Sequence, residues 1–154
     1  MYLPLNIEKM IPSDDPVRLL SAVLEELDYR KLTATYSRFG RIEYSPRLLF
    51  KIVLYGCSRG IYKSREIERA CRESVNFMYL LEGKRAPDHN TIARFRRNHL
   101  PEAIEDLLNQ MAQLLVIDGI VVAIFRFLNV QIYRGQLLFF LNACFFCRSY
   151  AKHL

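Results

Sequence analysis

The residues best suited to chemistry run in one block: Pro87, Asp88, His89, Asn90, Thr91, Ile92, Ala93, Arg94, Phe95, Arg96 and Arg97. Pro87 cannot continue a preceding helix, and Asp88 is a strong N-cap, so a helix is predicted to start here. At 100° per residue, Asn90, Ala93, Arg94 and Arg97 share one face. Ile92 and Phe95 point the other way, with His99 behind them. One face is apolar enough to dock on a core. The other carries an amide and two guanidiniums around a small Ala. A helix of that kind approaches a nucleic-acid backbone closely and still reaches base edges.

Other chemistry is sparse. His89 and His99 have no nucleophile or carboxylate beside them in sequence, and read as a first-turn polar contact and a packed or C-terminal residue. Asp14/Asp15 and Glu25/Glu26 read as a helix cap and a solvated helix face, not as metal carboxylates. Phe77 and Tyr79 sit at core spacing. Cys144 and Cys147 have the two-residue gap of zinc and redox motifs, but no second pair follows and Phe flanks them. With Cys57 and Cys71 they read as reduced thiols. No Gly-rich phosphate loop or nucleophile elbow occurs. No catalytic residue, metal ligand or cofactor is assigned.

The chain has 154 residues, 51% of them hydrophobic, and a net charge of +6. One domain with a real core is expected, together with a preference for polyanions. Charge is unevenly placed. Residues 1–113 hold 18 Lys/Arg and 15 Asp/Glu, whereas residues 114–154 hold four Lys/Arg and a single acid, Asp118. The tail is instead crowded with Phe, Leu, Ile and Val. Its apolar runs at 121–125 and 137–147 are interrupted or bounded by Arg126, Arg134 and Arg148. Neither approaches the roughly 20 residues of a spanning helix, so no integral membrane association is expected. The amino-terminal residues lack a basic leader and an apolar core, so no secretory signal is expected.

The elements that must position the basic helix are predicted as follows. Pro12 to Pro16 opens a helix whose stripe is Val17, Leu20, Val23, Leu24 and Leu27. Residues 32–44 read as irregular, with Gly40 in the middle. Ser45-Pro46 starts a helix apolar on more than one face, ending near Gly56 and Gly60. Ser64 caps a third, with Ile67, Ala70 and Cys71 inward. Ser74 caps a short fourth, stopped by Gly83. After the basic helix, Leu100-Pro101-Glu102 opens a longer one with Ile104, Leu107, Leu108, Met111, Leu114 and Leu115 inward. Six helical patterns with no alternating strand predict an all-α helical bundle over residues 14–117, with a helix-turn-helix-like DNA-binding unit and a poorly specified hydrophobic tail. Residues 1–120 read as the domain and 121–154 as the tail.

Within this bundle Asn90 could pair adenine, and Arg94 or Arg97 guanine or phosphate. His89, Thr91 and the N–H groups at the helix start suit a phosphate. Lys63, Arg65, Lys84 and Arg85 extend the positive surface. The expected partner is double-stranded DNA. The alternatives are a standalone helix-turn-helix regulator and a helical protein-interaction module with an incidental basic face; the reading also admits a homo-oligomer.

Four motifs in order carry a resemblance: Ile11 to Arg18, Tyr44 to Lys51, Tyr55 to Glu68, and Pro87 to Arg97. Over residues 1–120 the chain resembles the amino-terminal, InsH-type domain of bacterial insertion-sequence DDE transposases. Asp15 stands where relatives often carry His. The resemblance implies a helical part that recognises transposon ends, ahead of an RNase H-like domain in which three acids bind divalent metal, magnesium in an intact member. It also implies a cytoplasmic, nucleoid-associated bacterial protein.

The first catalytic acid is expected on a strand ending in Asp-Gly about thirty residues after Arg96-Arg97. Asp118-Gly119 comes too early and reads as the loop after the last helix. The metal-binding triad is therefore not assigned in this chain, which reads as a truncated, catalytically incomplete transposase with its frame shifted near Val121. Nucleotide sequence downstream of codon 121 tests this: a single-base restoration should recover an Asp-Gly-Thr-like catalytic segment. A downstream region lacking one in every frame contradicts it.

Overall fold

The computed structural model describes residues 6–36 and 44–117. The tail beyond residue 120, Cys144, Cys147, Asp118 and Gly40, each given an expected role above, lie outside the described residues. Within them the chain is all helical: α1 (Ile7–Met10), α2 (Pro16–Glu25), α3 (Arg30–Ala34), α4 (Pro46–Ser58), α5 (Ser64–Glu73), α6 (Val75–Leu80), α7 (His89–Arg94), a π segment (Phe95–His99) and α8 (Leu100–Ile117). No strand occurs among the described residues.

Helix α4 is the centre. Ten of its thirteen residues are buried, so neighbours must cover nearly its whole circumference. The stripe of α2 supplies one cover, with Val17, Leu20, Val23 and Leu24 buried. Tyr29 meets Phe50 edge-on at 6.1 Å, and Tyr55 meets Phe77 at 4.9 Å. The hydroxyl of Tyr55 accepts from Asn76 Nδ2 at 2.9 Å. Helix α4 ends in a Schellman motif. Gly60 has φ +74°, its N–H donates to the Cys57 carbonyl, and the Ile61 N–H donates back to the Gly56 carbonyl. At Gly56 a Cβ would stand 3.2 Å from Ile67 Cγ1 and 3.1 Å from the Ile61 oxygen, so the missing side chain lets α5 lie close.

Sequence pattern and structure diverge in four places. Residues 30–34, read in part as irregular, form α3. Helix α1, too short for a periodic signal, is held at its carboxyl end by the Arg18 guanidinium, which donates to the Glu8, Ile11 and Pro12 carbonyls. Ser64 is the first residue of α5 rather than its cap, and no side chain caps that helix. The basic helix does not stop before a separate one. It widens at the π segment, where the Leu100 N–H donates to the Phe95 carbonyl, and continues directly into α8. Pro101 therefore lies inside a continuous helix, two residues after the π segment ends. Gln110 of α8 accepts from the Asp28 N–H at 2.8 Å, fixing the rod against the α2–α3 turn.

Glu25 and Glu26 are exposed, as a solvated helix face requires, but Glu25 is also ion-paired. Lys51, fully buried on α4, donates to Glu25, to Glu82 at 3.0 Å and to Ser21 Oγ at 3.3 Å. Arg47, one turn earlier, bridges the same two carboxylates. Glu82 reaches this position with φ +53°, in the left-handed place after α6 where the pattern put the stop at Gly83. A non-glycine residue there is strained, and the two cations hold it. Burial pushes the Glu25 carboxyl up, but the bonds and charges of Lys51 and Arg47 outweigh it, leaving it below its ordinary 4.5.

Breaking this cluster should be asymmetric. Glu25→Gln with Glu82→Gln strands a buried ammonium and should destabilise the protein by about 3 kcal/mol, the low end of the range because both carboxylates are 40% exposed. Lys51→Met removes the charge itself and should have an effect below about 1 kcal/mol. Urea unfolding measures both. A larger loss for Lys51→Met contradicts the assignment.

Candidate nucleic-acid interface

Helix α7 is built as the sequence indicates on its inner side. Ile92 and Phe95 are buried, and Asp88 caps the start by accepting from the Thr91 N–H at 2.8 Å. The bonds to Thr91, with a smaller one to Asn90, hold the Asp88 carboxyl below its ordinary 3.8. On the outer side Asn90, Ala93, Arg94 and Arg97 are all exposed. Both arginines and the amide are therefore turned to solvent.

Helices α5 and α7 pack against each other, and one carboxylate joins them. Glu68 accepts from the His89 N–H at 3.1 Å and from His89 Nδ1 at 2.8 Å; Arg72 donates to its other oxygen. A carboxylate only accepts, so Nδ1 carries the proton in this contact and Nε2 faces away from it. The His89 ring bond, first among these, holds Glu68 below its usual 4.5.

The N–H groups at the helix start, expected to suit a phosphate, are partly occupied. Those of His89 and Thr91 are already taken by Glu68 and Asp88. Contacts from these residues fall to the Nε2 edge of His89 and the remaining capacity of the Thr91 hydroxyl. Lys84 and Arg85 are exposed in the loop before Asp88, Arg65 is exposed on α5, and Lys63 is exposed but lies 3.6 Å from Glu66. Arg97 Nε rests 3.3 Å from Asn98 Oδ1, with the side chain still exposed.

Sequence reasoning missed two things. Arg96, half-buried, donates to the Tyr62 carbonyl and pins the π segment to the α4–α5 loop. Arg69 and Arg72 are exposed on α5, four and seven residues after Arg65; that spacing was legible but was not followed along the helix. His99 was not missed: of its two expected roles it takes the packed one, its ring stacked on Tyr36 at 3.9 Å with Nδ1 2.9 Å from Thr35 Oγ1.

The wider surface is polarised. From Arg59 to Arg97 there are ten Lys/Arg against five acids. Helix α8 exposes Glu102 and Glu105 and has no Lys or Arg. A cleft lined by Phe50, Val53, Leu54, Cys57, Arg96, Leu100 and Ile104 encloses about 20 Å³, far less than a small-molecule site requires. Among the described residues no group of three His, Cys, Asp or Glu could hold a metal, and no helix is long and apolar enough to cross a membrane.

A family model described as Transposase domain (DUF772) matches residues 5–98. The chain belongs to that family. The match runs from α1 through the basic face of α7 and most of the π segment, so the transposase domain includes both helices joined by Glu68. No curated protein and no solved structure matches the chain.

The packing of His99 has a pH consequence. Burial pushes it below its ordinary 6.5, with the nearby Arg94 charge adding to this and Thr35 opposing it. A lowered folded-state value means the unfolded chain binds the proton more readily. The stabilising contribution is complete above 6.5 and is lost as pH falls through the lowered value. His99→Gln should flatten the decline in thermal stability between about pH 7 and pH 5.5. An unchanged decline contradicts this packing.

Proposed function

We propose that this transposase domain recognises double-stranded DNA at transposon ends, with α7 as the helix that meets the duplex. The observation that carries the reading is the division of α7 itself. Across α7 and the π segment that continues it, Ile92 and Phe95 are locked in the core while Asn90, Ala93, Arg94 and Arg97 stand exposed. Membership of a transposase family supports DNA as the polyanion.

In this reading α5, α6 and α7 form a helix-turn-helix-like unit. Glu68 sets α5 against α7, and α7 enters the major groove by its amino-terminal half. Asn90 offers an amide to adenine, and Arg94 and Arg97 offer forks to guanine or phosphate. Lys84 and Arg85, just ahead of the cap, lie where flanking phosphates would pass. The role proposed is recognition within transposition. No strand-transfer step is assigned to these residues.

Arg94→Ala with Arg97→Ala should weaken binding to an element-end duplex by at least about tenfold, at roughly 1 kcal/mol for each lost contact. Fluorescence anisotropy at fixed salt measures it, with thermal unfolding as the folding check. Wild-type affinity in the double variant removes α7 from the interface. Salt-insensitive dimerisation without DNA retention replaces the reading with a protein-interaction module.

A further inference from the structure

Helix α5 carries a second cationic line. Arg65, Arg69 and Arg72 recur at i, i+4 and i+7, so they form one stripe about 10 Å long. All three are exposed, on the side opposite the buried Ile67 and Cys71. Arg65 and Arg69 make no hydrogen bond or ion pair among the described residues. The acids that could cancel the stripe are partly engaged elsewhere. Glu68 is held by His89 on α7 and also pairs with Arg72 within the stripe, leaving Arg65 and Arg69 as its unpaired cations, and Glu66 lies beside Lys63. Glu73 stands on the flank away from Glu68.

We infer that this stripe is a sugar-phosphate docking surface for the same duplex that α7 meets, an inference resting on the reading above. Two observations favour a nucleic-acid backbone over an acidic protein. The stripe is linear, and 10 Å of B-form axis presents about three phosphates per strand, matching three guanidiniums. It is also continuous with the α7 face, because Glu68 fixes α5 directly against the start of α7. Guanidiniums on phosphate set register and affinity but read no sequence. Helix α5 thus anchors the backbone while α7 discriminates bases, and Arg72 serves as both a cation of the stripe and a brace for Glu68.

The test compares wild type, Arg65→Gln/Arg69→Gln, and Arg94→Ala/Arg97→Ala on an element-end duplex and a scrambled duplex across 50–200 mM salt. Arg65 and Arg69 have no partners to lose, so folding is expected to persist, and thermal unfolding checks it. The glutamine pair should lower the salt exponent by about 1.8, making the salt-driven loss of affinity about tenfold smaller, and should leave the preference for the element end unchanged. Arg65→Lys/Arg69→Lys should restore the exponent, because charge alone sets it. An unchanged exponent in the glutamine pair, while the α7 variant weakens binding, overturns the α5 surface and leaves the α7 reading standing. A wild-type protein without salt-dependent DNA binding overturns both.

Discussion

One carboxylate organises the functional half of this molecule. Glu68 receives the backbone N–H and the ring Nδ1–H of His89, and its second oxygen receives Arg72. Two arginine-bearing helices are held in one relation by a group that is itself only 15% exposed. The bonds are charge-assisted, which makes them shorter and stronger than neutral ones. Without Glu68 the amino-terminal N–H of α7 would be an orphan donor, and the start of the helix would lose its polar tie to α5. An interface that reads a duplex needs more precision than such contacts provide.

A different polar group anchors the other half. Lys51 is fully buried on the most enclosed helix, tied to Glu25 on α2 and to Glu82 just past α6. Such a cluster is weak evidence for stability, since an apolar replacement is often as good. Its geometric effect is clearer here. It holds Glu82 in a left-handed backbone conformation and so sets where the chain leaves α6 for the loop of Lys84 and Arg85. The two clusters together fix both ends of the path from α5 to α7. Cations accumulate along that path, while α8 and the start of the chain carry the acids. A molecule polarised in this way orients itself before it touches a polyanion.

Much of this was legible in the sequence. The stripe Val17, Leu20, Val23, Leu24 and Leu27 is buried residue for residue, because ten regular residues give a 3.6-residue period time to show. Asp15 and Asp88 cap as their positions indicate, accepting from Val17 and Thr91. The local chemistry of α7 sorted its faces correctly. What was not legible depends on distance or brevity. Helices of four and five residues complete barely one turn. Glu82 is held by residues 31 and 35 positions away, and Glu68 meets His89 across 21. The π segment arises where Arg96 is drawn to the Tyr62 carbonyl, a pairing across 34 residues. Glu25 is solvated as its position indicates, but its ion pairs with Arg47 and Lys51 were hidden because those residues lie 22 and 26 positions away. The family resemblance placed on four motifs agrees with a transposase-domain match over residues 5–98, and says nothing about which atoms hold the helices together.

The central claim is that a polarised helical domain offers the outer faces of α7 and its neighbours to a duplex. Amide chemical-shift mapping of the full chain during titration with duplex DNA tests it most directly. The account predicts salt-sensitive shifts grouped at Arg65, Arg69, Lys84, Arg85, Asn90, Arg94 and Arg97, with Glu102 and Glu105 on α8 silent. Shifts centred on α8, or none at any salt concentration, contradict it.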